Sequence, residues 1–271
     1  MTKLLSLDRG HYLGKVVDIC YCDGMIAGAT KYPKEAMTSQ MHYHDNMHMS
    51  FVLQGGSTEK RIGNEYERLP GNMMFYRAGE VHQNIQKLFP SKNMNLEIED
   101  DFLKRHGITE EAINRAINQN PDGKFLMLKI YRELSENDQM SPPTVNMLFL
   151  DLVSQSEKKL HTKTHPTWIK IIHELLNDQM NEKLTLTDLA MAAKVNPITI
   201  SKHFHKYYSC TLGEYMRKLK IERSLTMIKA KYVSLTEIAY ACNFADQSHF
   251  TRTFKQMTGF LPSQYRKLQD C

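Results

Sequence analysis

The sequence predicts two domains of different class. An N-terminal all-β barrel or jelly roll, followed by helices, precedes a C-terminal all-α domain of two helix-turn-helix motifs joined by a long helix. Three observations carry this. In residues 1–100, short stretches such as Val16–Tyr21, Met47–Leu53, Ile62–Arg68 and Asn72–Tyr76 are separated by Asp23-Gly24, Gly55-Gly56, Gly63-Asn64 and Pro70-Gly71, pairs that punctuate strands. From about Asp101 the apolar residues recur every three or four positions, the period of a helix. Near the C-terminus, Leu186-Thr-Asp-Leu-Ala returns as Leu235-Thr-Glu-Ile-Ala, an offset of 49. An internal repeat of that length marks a duplicated structural unit.

The 271 residues are enough for two separate cores. No apolar stretch approaches the roughly 18 residues of a membrane helix, and the first twenty residues do not read as a secretory leader. Five Cys, an odd number with only Cys20 and Cys22 close together, do not make a disulfide framework or a four-Cys zinc site. A reducing cytoplasm is the expected compartment. The net charge of +5 is unevenly spread: from Pro166 onward 15 Lys and Arg face 9 Asp and Glu, whereas the rest of the chain is nearly balanced. The surplus lies where neutralisation of phosphates would use it.

In order along the chain, residues 1–100 read as the barrel and 101–160 as a helical segment. Thr109, with two Glu behind it, starts one helix and Pro121-Asp122-Gly123 breaks it. Phe125, Leu128 and Tyr131 mark the next, and a break is expected at Pro142-Pro143. Val145, Leu148, Phe149, Leu152 and Val153 form a wide stripe, suited equally to core packing and to pairing with a second copy of the chain. His161–Thr167 reads as a linker, and 168–271 as the C-terminal domain, opening with Trp168, Ile171, Ile172, Leu175 and Leu176.

Thr185 with Asp188 and Ser234 with Glu237 have capping-box spacing, as do Thr211 and Glu214 before the connecting helix. That connector carries Leu212, Tyr215, Met216, Leu219 and Ile228. Asn196-Pro197 starts the second helix of the first copy as cap and first helical residue. Asn243 sits where the second copy must turn, in a left-handed conformation that Asn tolerates. Ile200, Phe204, Phe250 and Phe254 then point to the core. The outer faces carry Ile198, Thr199, Ser201, Lys202, His205 and Lys206 in one copy, and Gln247, Ser248, His249, Thr251, Arg252 and Lys255 in the other. A helix, a tight turn and a second helix with a polar, cationic face form a DNA-reading device. Thr199, Ser201, Lys202, Gln247, His249 and Arg252 are the expected base readers; Lys206, Lys255 and Arg266 are placed for phosphates.

The run Ala239, Asn243-Phe244, Ser248, Phe250, Phe254-Lys255, Gly259, Pro262 and Tyr265-Arg266 resembles the signature of AraC/XylS-type transcription regulators. Asn243 stands where the family usually has Gly, and Leu261 where Ser or Thr usually precedes the Pro. The resemblance implies a cytoplasmic, non-enzymatic regulator, more often an activator. Its partners would be double-stranded DNA and a small-molecule effector, with RNA polymerase and a second copy of the chain as further candidates.

His42-Tyr43-His44 with His48 and Gly55, then Gly71, Gly79 and His82, are similar in spacing to the two motifs of the cupin barrel that often precedes such DNA-binding parts. His48 stands where a Glu is usual and Arg77 where a Pro is usual. His42 and His44 share one strand face, so His42, His44, His48 and His82 are the expected effector pocket. Four imidazoles also suit zinc, iron, nickel or copper. A polar ligand is the favoured occupant, no cofactor is required, and a divalent metal is the alternative. A metal enzyme on the barrel is the competing function, for which Glu80 is the one candidate acid or base.

Overall fold

The computed structural model describes residues 4–34, 40–157, 166–178, 184–230 and 232–270. Two compact units divide the chain, residues 1–157 and 158–270. Most of the proposed linker, residues 161–165, lies outside the described residues, and Thr167 already belongs to a helix. Among the described residues no helix is long and apolar enough to cross a membrane.

The first unit contains β1 (Leu5–Leu7), β2 (Lys15–Cys22), β3 (Met25–Tyr32), β4 (His42–His44), β5 (Met47–Arg61), β6 (Asn64–Arg68), β7 (Met73–Tyr76) and β8 (His82–Ile98). Helices α1 (Asp100–His106), α2 (Glu110–Gln119), α3 (Gly123–Glu136) and α4 (Ser141–Glu157) follow. The strands form one sheet in the order β1-β4-β8-β3-β2, with β5 also on β8 and carrying β6 and β7. This is a curled half-barrel with β8 at its centre.

Register explains how one sheet supplies both a core and a pocket. Met94, Leu96 and Ile98 of β8 pair with Ala29, Ala27 and Met25 of β3, and with Phe51, Met49 and Met47 of β5. All nine are buried, and α3 and α4 lie against β2 while α3 also meets β3. The alternate positions, Asn93, Asn95 and Glu97, pair with Thr30, Gly28 and Ile26 and with Val52, Ser50 and His48. Side chains alternate along a strand, so the second face is polar yet equally buried.

The structure corrects three local expectations. Gly55-Gly56 is not a turn: β5 runs through it, with register shifts against β8 between Val52 and Ser57. Bulges of this kind bend a strand without ending it. Gly55 has φ +77°, and a Cβ there would stand 2.5 Å from Leu88 O and 2.6 Å from Pro90 O. Gly55→Ala is therefore expected to destabilise the first unit by at least about 1–3 kcal/mol, the usual cost of the left-handed backbone alone; the urea midpoint followed by circular dichroism checks it. Ile62 is not in a strand but in the β5–β6 turn, where it is exposed. Pro142 and Pro143 do not break a helix: they lie in the first turn of α4, where a missing N–H costs nothing.

The α4 stripe faces inward over most of its length. Val145, Phe149, Leu152 and Val153 are buried within their own unit, Leu148 half-buried. These four side chains pack into the core of the first unit.

The second unit contains α5 (Thr167–Asp178), α6 (Leu186–Ala192), α7 (Pro197–His203), α8 (His205–Tyr208), α9 (Leu212–Met227), α10 (Leu235–Ala241), α11 (Gln247–Thr258) and α12 (Pro262–Asp270). All three capping boxes form, at Thr185/Asp188, Thr211/Glu214 and Ser234/Glu237. Asn196 caps α7 by accepting from Ile198 N, with Pro197 at the helix start. Asn243 has φ 57°, and Lys194, its equivalent in the first copy, has φ 53°. Pro262 opens α12, and Gln264 Oε1 accepts from Leu261 N at 2.8 Å, so that amide is satisfied despite the missing hydroxyl residue.

Ile169, Ile172, Leu176, Leu189, Ala190, Ala193, Ile200, Phe204 and Tyr215 form the core of the first copy. In the second copy Ile238, Ala239, Phe244, Phe250 and Phe254 are buried; Phe244 lies tilted against Phe250, and Phe250 with Phe254 and Phe254 with Tyr265 meet edgewise.

Candidate functional site

The polar face of the half-barrel encloses a cavity of about 20 Å³, lined by His42, His44, His48 and His82 together with Tyr12, Tyr76, Ser50, Arg68, Asn84, Asn93 and Asn95. All four expected imidazoles are there and all are buried. His42 and His44 lie on β4, His48 on β5 and His82 at the start of β8, where it pairs with His42. Ring centroids are 4.2 Å apart for His42 and His82 and 3.9 Å for His44 and His48.

The four are not equivalent. The ring nitrogens of His42, His44 and His82 lie within 4.8 Å of one another; His48 is outside that set. It stacks face to face on Tyr76 at 4.3 Å, and its Nδ1 is buried without a hydrogen-bond partner. His42 Nδ1 donates to Gln40 O and His82 Nδ1 to Glu80 O, each at 2.9 Å. A carbonyl can only accept, so the geometry fixes the proton on Nδ1 of both rings and leaves Nε2 as a lone pair.

Burial, reinforced by the neighbouring imidazoles, keeps all four uncharged. His44 is held down to about 3 and His82 to about 2, with His42 lowered and His48 well below the ordinary value. An unfolded His takes up a proton near pH 6.5. As pH falls below that value the unfolded chain binds protons that these folded imidazoles refuse. Stability is therefore full above about pH 6.5 and lost progressively towards pH 3, at up to about 1.4 kcal/mol per pH unit for each ring. Urea unfolding of the chelator-treated protein at pH 7.5, 6 and 5 should show the midpoint dropping.

Several residues of this site went unread in the sequence. Arg68 is 1% exposed; it donates to Asn84 Oδ1 (2.9 Å) and Ser50 Oγ (2.7 Å), and lies 3.6 Å from the buried Glu59 carboxylate. Tyr76 donates to Glu59 and stacks on His48 and His82. Asn93-x-Asn95-x-Glu97, polar at every second position, was the available signal. Glu80 is engaged away from the imidazoles: its carboxylate accepts from Arg61 Nη1 at 2.5 Å and Arg77 N at 3.0 Å, and its backbone carbonyl meets His82.

In the second unit the outward residues of both second helices stand as expected on exposed faces, with qualifications. Ile198, Ser201, Lys202, His205 and Lys206 are exposed and Thr199 half-buried. α7 and α8 meet at Phe204, whose own backbone stays helical. On α11, Gln247, Ser248, Arg252 and Lys255 are exposed, Thr251 and His249 half-buried. His249 rests edge-on against Phe244 at 5.3 Å. Gln247 Oε1 accepts from Thr236 Oγ1 at 2.6 Å, which fixes its amide. Arg266 is tied back to Val233 O at 2.7 Å and half-buried, so it braces the motif.

Residues 189–268 match a family model described as a helix-turn-helix domain; they take in both helix-turn-helix copies except the first three residues of α6 and carry the whole signature. That C-terminal domain is of the AraC type. The regulator is 29% identical over 150 residues to YijO, an uncharacterized HTH-type transcriptional regulator of Escherichia coli K12, covering 54% of this chain and 52% of that protein. It is 20% identical over 250 residues to the HTH-type transcriptional activator RhaS of Shigella sonnei, covering 84% and 88%. The chain thus spans about half of YijO but most of RhaS. Among solved structures, apo ToxT K231A of Vibrio cholerae aligns over 90% of the regulator and 97% of that chain, at 13% identity and a TM-score of 0.38, too loose a superposition to argue from. The C-terminal unit of the regulator is a DNA-binding domain of two helix-turn-helix motifs.

Proposed function

We propose that this regulator is a ligand-responsive transcription activator of the cytoplasm, whose half-barrel takes a small signal in the histidine-lined cavity and whose two recognition helices read promoter DNA. The observation that carries the sensing role is a buried polar face, built opposite a complete apolar core, around four buried imidazoles. A merely structural sheet gains nothing from burying so many polar groups, each costly unless satisfied. The relatives' printed names, transcriptional activators among them, support the sign of regulation.

On DNA, α7 with α8 and α11 enter successive major-groove segments about 10 base pairs apart. Arg252 pairs with guanine and Gln247 with adenine, the side-chain geometries that fit those base edges best. The Thr236 bond leaves Gln247 with a free NH2 and a second lone pair on Oε1, as a bidentate adenine contact needs. Ile198, 70% exposed at the start of α7, suits a thymine methyl. Lys206 and Lys255 take phosphates.

Selection of binding sites from random duplexes with the full chain tests this. The expected product is two specified segments about one helical turn apart. Arg252→Ala should lose about 1–3 kcal/mol of discrimination at one base pair only. Binding without sequence preference would sink the reading.

A further inference from the structure

We propose that the signal is a divalent transition-metal ion held by His42, His44 and His82, and that the ion fastens strand β4, with β1 alongside it, to β8. This rests on the sensing role given above to the cavity.

Donor geometry comes first. Imidazole nitrogens sharing one tetrahedral ion at bonds of about 2.0–2.1 Å stand about 3.3 Å apart. The three here lie within 4.8 Å of one another, so no pair must close by more than about 1.5 Å, a side-chain adjustment. His42 and His82 already show the arrangement ligating histidines adopt: the second ring nitrogen donates to a backbone carbonyl, at Gln40 and Glu80, which fixes tautomer and ring direction. Room decides between an ion and an organic molecule. A cavity of about 20 Å³ holds an ion or about one water, whereas pockets for organic ligands run to roughly 300 Å³ and more.

The donor set also selects the ion. No carboxylate lines the cavity among the described residues, and neutral imidazoles suit zinc, copper, nickel or cobalt over magnesium, calcium or manganese. Three protein ligands leave a further position for water or an exogenous ligand. His48, stacked on Tyr76 and 3.9 Å from the His44 ring, backs the site without joining it.

Topology supplies the consequence. β4 is three residues long and meets β8 through one ladder pair, His42 with His82, while His44 O accepts from Gly79 N in the β7–β8 turn. Its other neighbour is β1, paired in parallel over Leu5–Leu7. β1 thus reaches the sheet through β4, and two of the three ligands are on β4. An ion bridging them to His82 adds a cross-link where backbone pairing is thinnest. Loading and loss of the ion would order and release this ribbon.

The test uses the full chain, made without a histidine tag, stripped with a chelator and titrated with Co(II) and Zn(II). One ion per chain is expected, with visible cobalt bands displaced by zinc. His44→Gln and His82→Ala should weaken binding by more than about 100-fold, beyond the roughly 10–100-fold of a change in the surroundings of a ligand, while His48→Ala keeps one ion per chain. Hydrogen exchange should slow on zinc addition over residues 4–14 and 40–48. No ion bound by the folded chain, or binding undiminished in both ligand variants, overturns the proposal. So does an ion that leaves exchange over those segments unchanged. A promoter reporter separates the two readings. If no ion binds but His44→Gln still abolishes the response, sensing at the cavity stands and the metal falls. If the ion binds and His44→Gln leaves the response intact, the ion is structural and the sensing role falls.

Discussion

Phe250→Ala is expected to destabilise the second helix-turn-helix motif by about 3–5 kcal/mol and to abolish operator binding by the whole chain. The ring is fully buried, with its edge to Phe254 at 5.6 Å and Phe244 tilted against it at 5.4 Å. Removing it takes an inner member from an aromatic row that runs from Phe244 to Tyr265. Little else can fill the space: α10 and α11 are held to each other at the turn by Asn243, in a left-handed conformation, and by Lys220 Nζ donating to Asn243 O at 2.7 Å. The loss therefore falls on the motif's own stability, and Arg252 and Gln247 go with it although neither is touched. Loss of helical circular dichroism at low urea checks this. Trp168, the sole tryptophan, packs half-buried against the core of the first copy and should unfold later. Phe250→Leu, which keeps most of the volume, should retain binding. If Phe250→Ala instead bound DNA with altered sequence preference at normal stability, the inward assignment of this ring would be wrong.

The C-terminal unit was legible because its signals are local. A capping box is two residues three apart; a core stripe is four residues on one helix; a repeat is visible as a repeat. Each of these, at Thr185, Thr211, Ser234, Ile200, Phe204, Phe250 and Phe254, stands in the structure where the spacing puts it. Sheets are less forthcoming, since pairing is set between distant segments. Gly55-Gly56 reads as a turn by composition, and only the partner β8 shows it to be a bulge. The histidines were visible as a group because His42, His44 and His48 are neighbours in sequence. Their division into three and one was not: it depends on Tyr76 drawing His48 into a stack. Arg68 gave no signal at all. It ends the stretch Asn64-Glu-Tyr-Glu-Arg68, whose first four residues are exposed, and reads as one more hairpin charge.

That concealed charge leads to the second large effect. Glu59 is fully buried, and three cationic or donor groups converge on it: Arg61 Nε at 2.5 Å, Arg68 Nε at 3.6 Å and the Tyr76 hydroxyl. Arg68 itself is buried, whereas Arg61 keeps partial contact with solvent and a second carboxylate in Glu80. The two ways of breaking the pair are therefore unequal. Glu59→Gln leaves the Arg68 guanidinium buried without a counter-charge, and breaking a buried pair from one side costs about 3–5 kcal/mol. Arg68→Met should cost less, because Arg61 still neutralises Glu59. The double substitution Glu59→Gln with Arg68→Met should recover much of the loss, since replacing both charges avoids the orphan that either leaves alone. A double-mutant cycle on urea unfolding, read by hydrogen exchange of β5 and β8, isolates that coupling. The cavity adds a second readout. Arg68 lines it beside His48 and anchors Ser50 and Asn84, so Arg68→Met should also loosen the walls around the imidazoles. Additive losses in the cycle would mean that Glu59 and Arg68 act independently, and that the sheet's polar face is held by its hydrogen bonds alone.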